Sequence, residues 1–161
     1  MEQAVISLGS NLGNRVLNLN LAFEKVQQFG VLKSSSAIYE SAPWGFEASR
    51  SFLNQVIEIE TKLAPNALLL SLMTIETDLG RKRNFDSYES RTIDLDILFY
   101  GEEIRNNKAL VLPHPRIQDR MFVLLPLSEI LPQFIHPELK KTMRQLLAEC
   151  TDKLWVKKFI R

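Results

Sequence analysis

The chain has one cysteine in 161 residues, Cys150, so no disulfide can form within it. No apolar run approaches the length of a membrane span. Charge of one sign is missing too: 20 basic residues against 19 acidic ones leave a formal net charge of +1. Nonspecific nucleic-acid binding needs a broad basic face, which this balance does not favour. The opening residues, Met1-Glu2-Gln3-Ala4, lack the basic-then-apolar layout of a secretion signal. These absences lead us to expect a cytoplasmic protein that takes neither nucleic acid nor membrane as partner.

What is present describes a globular chain. The hydrophobic fraction of 45% and charged fraction of 24% are ordinary, and the length suits one domain over residues 1–161 with a substantial core. There are no internal repeats or low-complexity stretches. Cys150 falls in a short amphipathic stretch and reads as a packing residue.

Periodicity orders the first hundred residues. Ala4 to Leu8 reads as a buried strand, then Gly9 and Gly13 bracket a turn and Asn14 can cap a helix. From Arg15 to Phe29, Leu19, Ala22, Phe23, Val26 and Phe29 recur at helical spacing, with Gly30 as a stop. A second strand begins over Ser36–Tyr39 and ends before Pro43, and a third runs from Phe52 to Thr61. Pro65 opens a second helix, which Gly80 closes. Ile93 to Tyr100 is a fourth strand, and Glu102 to Asn107 extends it as a hairpin. Further helices fall near 118–125 and 142–150. The β-α-β-β-α-β order implies an α+β fold with a ferredoxin-like antiparallel sheet, plus C-terminal helices. That order alone does not decide function.

The segment Arg91-Thr92-Ile93-Asp94-Leu95-Asp96 is the most informative. Residues i and i+2 of a strand share a face, so Asp94 and Asp96 stand side by side, with Ile93, Leu95, Ile97 and Phe99 on the other face. Two carboxylates that close repel unless something positive lies between them. A hard cation such as Mg²⁺ suits them, because it takes one or two carboxylates plus substrate phosphates. Arg81, Arg83 and Arg91 fit phosphate oxygens in the same way. A structural salt-bridge cluster is the other reading of the same residues.

Other constellations are weaker. Gly9-Ser10-Asn11-Leu12-Gly13-Asn14-Arg15 lacks the Gly-Lys-Ser/Thr of a phosphate loop and reads as a structural turn. Phe52 and Asn54 share a strand face, and a ring beside an amide can stack on a flat heteroaromatic ligand and match its edge. The loop before them carries Trp44, Gly45 and Phe46, unusually apolar for a loop. Pro113-His114-Pro115-Arg116 with Arg120 forms a cationic patch, in which two arginines four apart would share one helix face. His136 has no comparable company.

Taken in order, Gly9–Gly13, Pro43-Trp44-Gly45, Phe52-Leu53-Asn54, Glu76, Gly80-Arg81-Lys82-Arg83, Arg91–Asp96, Pro113–Arg116 and Arg120–Leu124 resemble the 6-hydroxymethyl-7,8-dihydropterin pyrophosphokinase family of folate biosynthesis. The likeness runs from about Val5 to Ile130. It implies transfer of the terminal diphosphate of ATP to the hydroxymethyl group of a reduced pterin, with AMP as the other product. It implies two Mg²⁺ on Asp94 and Asp96, and Arg81 and Arg91 as catalytic residues beside them. Glu76, Arg81, Arg83, Tyr88, Arg91, Ile97, His114 and Arg120 match positions near ATP. Ser41, Ala42, Trp44, Gly45, Phe52, Asn54 and Phe122 match positions around the pterin. The partners implied are ATP and the pterin, on a monomer. Three loops, around Gly9, over Pro43–Arg50 and over Arg81–Ser90, would close over the substrates. The sequence departs from many relatives at Tyr88-Glu89-Ser90, where they have Trp-Gly-Pro, and at Met73, Ala109 and Val111. Two other classes compete: a Mg²⁺-dependent nucleotidyl transferase on a similar scaffold, which shares the Asp-x-Asp logic, and a noncatalytic module in which the arginines hold a regulatory nucleotide.

Overall fold

A computed structural model of the chain describes residues 1–48, 50–81 and 90–160. Among them, six strands form one antiparallel sheet. Strand β1 (Glu2–Ser10) lies between β4 (Phe52–Thr61) and β5 (Asp94–Tyr100). The far edge of β4 is shared by β2 (Val31–Ser35) and β3 (Tyr39–Ser41). Strand β8 (Val156–Lys158) closes the β3 side. A small second ladder pairs β6 (Arg105–Asn106) with β7 (Val111–Leu112), so the hairpin reaches beyond the 102–107 segment expected for it. The fold is α+β, and its core has the β-α-β-β-α-β order.

The helices form on the expected signals. Helix α1 (Arg15–Val26) is capped by Asn14, whose Oδ1 accepts the Leu17 N–H at 3.0 Å. Helix α2 (Pro65–Asp78) opens on its proline. Both lie on one face of the sheet, over Ala4, Ile6 and Leu8 of β1 and Leu53, Ile57 and Ile59 of β4. Helices α3 (Met121–Ile130) and α4 (Met143–Glu149) cover part of the other face, over Val5, Val56, Leu98 and Phe99. Thr142 and Gln145 form a reciprocal capping box at α4, and Cys150 packs against this second cluster.

Four sequence expectations change in the structure. The second strand begins at Val31, before Ser36, and is interrupted over residues 36–38. Side chains replace the ladder there: the Val56 N–H donates to Ser36 Oγ at 3.0 Å, and Glu129 of α3 accepts the Ala37 N–H at 3.1 Å and the Tyr39 hydroxyl at 2.6 Å. Gly30 does not stop α1, which ends at Val26. A Cβ at Gly30 would lie 2.6 Å from the Glu60 carbonyl oxygen, so glycine is what lets the chain approach β4. Phe99 does not share a face with Ile97. The register shifts between Val5 and Ile6, leaving Leu98 as the extra residue of a bulge, and Phe99 joins the α3–α4 side. Lastly, Arg116 and Arg120 do not lie on one helix. A 3₁₀ turn (Ile117–Asp119) separates them, and Arg120 is the extended residue that precedes α3.

Candidate active site

The face of the sheet under α3 and α4 is divided in two. Its lower half, Val5, Val56, Leu98 and Phe99, is packed core, with Val56 and Leu98 at the cavity's edge. Its upper half carries Ser7 and Gly9 of β1, Phe52 and Asn54 of β4, and Asp94 and Asp96 of β5, and it is the floor of a cavity. Strand pairing fixes this arrangement: Gly9 is opposite Asn54 on one side and Asp94 on the other, and Ser7 is opposite Asp96. The start of α3 marks the border, with Phe122 and Val123 forming a wall. Asp152 fixes that start by accepting the Met121 N–H at 3.0 Å, a carboxylate at a helix N-terminus.

One lobe of the cavity is a narrow, largely apolar slot. Ser41, Ala42, Trp44, Phe52, Asn54 and Phe122 line it, and Phe46 meets Phe52 edge-on at 6.1 Å. A Cβ at Gly9 would come within 3.5 Å of Asn54 Oδ1 and 3.8 Å of the Phe52 ring, so glycine leaves the slot its depth. The Asn54 Nδ2 donates to Ser41 Oγ at 2.7 Å inside the protein. That bond fixes the amide plane. The Arg120 guanidinium lies 4.5 Å above the Trp44 ring and 5.7 Å from the Phe122 ring, so a cation bounds an aromatic slot.

The other lobe is a chamber of about 500 Å³ beside α2 and the 113–116 segment, within the range of small-molecule sites. Leu69, Met73, Ala109, Pro115 and Arg116 form its outer walls. Five residues belong to both lobes: Arg91, Asp94, Asp96, His114 and Arg120.

The electrostatics at this junction are uneven. Asp94 accepts from Arg81 at 2.7 Å and from Arg91 at 2.8 Å. Arg81 is held from behind by an ion pair with Glu76, which is 1% exposed. Burial pushes the Asp94 pKa up, but Arg91 and Arg81 together outweigh it and hold the carboxyl below its usual range. Among the described residues, Asp96 has no such pair. Burial at the cavity floor, then the charge of Asp94, push its pKa up to about 7 against the opposing pull of Arg120, Arg81 and Arg91. His114 faces it, Nε2 to Oδ2, at 4.0 Å. The Arg116 N–H donates to His114 Nδ1 at 3.1 Å, which leaves the proton of the neutral ring on Nε2, toward Asp96. Burial, reinforced by Arg120, lowers the His114 pKa to about 4, so the ring is neutral near pH 7.

Most of the residues singled out in the sequence come together here. Ile97 does not line either lobe: it is 3% exposed in the core under α1 and α2, and Leu95 reaches the chamber instead. Gly45 sits between two lining residues, with φ of +82°, a conformation that turns the loop back and favours glycine. Arg83 and Tyr88 lie outside the described residues. Sequence reasoning overlooked Asn11, which is fully buried. Its Oδ1 accepts the Arg91 N–H at 2.7 Å, its own N–H donates to the Arg91 carbonyl at 3.1 Å, and its Nδ2 donates to Ser90 Oγ at 3.0 Å. A polar residue buried inside a glycine turn was the available signal, since such a group must find partners.

Comparison with known proteins gives the family and the fold. The model of the 7,8-dihydro-6-hydroxymethylpterin-pyrophosphokinase (HPPK) family matches residues 5–132. A protein of Aquifex aeolicus named 2-amino-4-hydroxy-6-hydroxymethyldihydropteridine pyrophosphokinase is 40% identical over 153 residues, covering 95% of this chain and 95% of its own. The folic acid synthesis protein fol1 of Pneumocystis carinii is 44% identical over 137 residues, which cover 84% of this chain and 18% of that longer one. In fold, the Plasmodium falciparum HPPK-DHPS crystal structure superposes with a TM-score of 0.74 at 19% identity, covering 92% of this chain and 43% of that one. This chain thus spans nearly all of some relatives and less than half of others.

Proposed function

The chain belongs to the 7,8-dihydro-6-hydroxymethylpterin-pyrophosphokinase family, and on that premise we propose how its residues move the terminal diphosphate of ATP to the hydroxymethyl oxygen of 6-hydroxymethyl-7,8-dihydropterin. The observation that carries the reading is the shared wall of the two lobes: an aromatic slot and a nucleotide-sized chamber meet at Arg91, Asp94, Asp96, His114 and Arg120. In the reaction the pterin oxygen bonds to the β-phosphorus, the bond from that phosphorus to the oxygen of the α-phosphate breaks, and AMP leaves. The hydroxyl proton departs as the new bond forms. Such a transfer calls for positioning and charge stabilisation more than for a covalent nucleophile.

In the slot, Phe52 and Phe122 sandwich the ring. Asn54, its Nδ2 bound to Ser41, presents Oδ1 to the ring edge. Ser41, Ala42, Trp44 and Gly45 form the surrounding wall. In the chamber, the nucleotide lies against α2 and the 113–116 segment. Arg81, Arg91 and Arg120 then face its phosphates, and guanidinium forks match phosphate oxygens. Glu76 acts through Arg81: buried and ion-paired, it aims that guanidinium. His114 offers its Nε2–H at the junction. Arg83 and Tyr88 complete the nucleotide side in this reading.

The donor set fits a hard divalent cation. Among the described residues no group of three or more His, Cys, Asp or Glu side chains could hold a metal, so a resident cage is absent, and two same-face carboxylates are what an ion arriving with phosphates requires. Burial first, and the charge of Asp94 second, raise the Asp96 pKa, and a cation between the two carboxylates would offset both. Asp94 and Asp96 would hold two Mg²⁺, which when bound supply neutralisation of the diphosphate and acidify the pterin hydroxyl. The test is incubation with ATP, Mg²⁺ and the dihydropterin, following AMP. AMP that forms only when metal and pterin are both present supports the reading. ADP as product, or AMP without pterin, overturns it, and nucleotide binding with no turnover would favour a noncatalytic module.

A further inference from the structure

We infer that the C-terminal strand β8 is a strap that positions the pterin wall of the site. This rests on the assignment of Ser41, Ala42 and Asn54 to the pterin. Strand β3 is only three residues long and ends in Ser41, the residue that fixes the Asn54 amide. On its inner edge β3 pairs with β4, and on its outer edge with β8, where Tyr39 is opposite Lys158 and Ser41 opposite Val156.

The bonding continues past both ends of the ladder. The Ala42 N–H donates to the Trp155 carbonyl at 3.2 Å, and the Phe159 N–H donates to the Ile38 carbonyl at 2.9 Å. Side chains anchor the strap on two sides. Phe159 packs against the main core and lies under the Arg15 guanidinium at 6.0 Å. Lys157 reaches Glu40 at 3.9 Å, and the same carboxylate accepts from Arg15 at 3.0 Å and Ser51 at 2.8 Å, just before Phe52. The strap therefore touches three parts of the slot: the Ser41–Ala42 backbone directly, Asn54 through Ser41, and Phe52 through Glu40 and Ser51. Among the described residues, its hydrogen bonds and its ion pair reach none of the chamber walls. It also lies beyond residue 132, where the family match ends.

Without β8, a three-residue edge strand would present its outer amides to water. A strand that short holds its position poorly when paired on one side only. Ser41 and the following loop would then be ordered by the ligand, and that ordering weakens binding. Nucleotide contacts, carried by α2 and the 113–116 segment, would be untouched.

The experiment compares the full chain with one ending at Lys153, which keeps Asp152 at the start of α3. Binding of 6-hydroxymethylpterin and of a nonhydrolysable ATP analogue is measured by calorimetry for each. We expect about a tenfold weaker pterin affinity in the shortened chain, unchanged analogue affinity, and recovery of pterin affinity on adding a synthetic peptide of residues 154–161. Equal pterin affinity in both chains overturns the inference. So does a parallel loss of both ligands, which would make β8 a general stabiliser. Should the shortened chain fail to fold, Phe159→Pro in the full chain removes the N–H that donates to Ile38, and Phe159→Ala, which keeps it, is the control. A full chain that binds neither ligand would instead refute the functional reading beneath the strap.

Discussion

Replacing Asn54 with alanine should weaken pterin binding far more than it weakens the fold. Asn54 is 6% exposed, its Nδ2 is committed to Ser41 Oγ at 2.7 Å, and its Oδ1 opens on the slot. Two bonds are therefore at stake in one side chain. For the ligand, truncation leaves a donor on the ring edge desolvated without a partner, which costs about 1–3 kcal/mol. That converts to roughly a 5- to 150-fold loss of affinity. For the fold, the Ser41 hydroxyl loses its donor but borders the cavity, where water can replace it. The stability cost should sit at the low end of the same range, about 1 kcal/mol, or a melting temperature lower by about 2–4 °C for a chain of this size. Calorimetric titration with 6-hydroxymethylpterin in the presence of an ATP analogue reads the first quantity, and a thermal melt reads the second. A double-mutant cycle with Ser41→Ala separates the two bonds, because Ser41→Ala alone should loosen the amide without removing Oδ1. Unchanged pterin affinity in Asn54→Ala would refute the reasoning and move the ring-edge contact to another residue.

Asp96→Asn should cut AMP formation by orders of magnitude while leaving the melting temperature unchanged or higher, because it removes a carboxylate that burial and then Asp94 disfavour in its charged form; a stability loss would contradict the uneven electrostatics. Chelation of divalent cations should stop turnover of the native chain, and restoring Mg²⁺ should recover it in an AMP-release assay. Asn11→Ala should lower turnover through Arg91, whose backbone Asn11 grips from two sides; a rate equal to the native one would dismiss that role. For pH, the folded-state pKa of His114 is depressed from 6.5 to about 4, so the unfolded chain takes up this proton first on acidification. The resulting stability is complete above about pH 6.5 and is lost as pH falls toward 4. Thermal melts from pH 7 to 4 should show a shallower decline for His114→Asn than for the native chain.

No helix among the described residues is long and apolar enough to cross a membrane, in keeping with the balanced composition. The placement of Asp94 and Asp96 on one face was legible because a strand imposes a period of two on any sequence. The same rule failed three residues later, at Phe99, because a bulge is a property of paired strands and the extra residue shows only against β1. Asn14 and Pro65 marked the helix starts because capping is local chemistry. Strand β8 went unread: Val156–Lys158 is three residues with no periodicity, and it is a strand only because β3 offers it an edge.

The sequence by itself determined the element order, the faces of the long strands, and the chemistry on offer: two carboxylates, a set of arginines, and a ring beside an amide. These follow from interactions within a few residues along the chain. Only the tertiary structure decided which of those groups meet. It put Asn11 on the backbone of Arg91, laid Arg120 across Trp44, and started α3 where half of one sheet face becomes a cavity. Each of those joins residues far apart in the chain, and such contacts depend on the packing of whole layers, which no local spacing encodes.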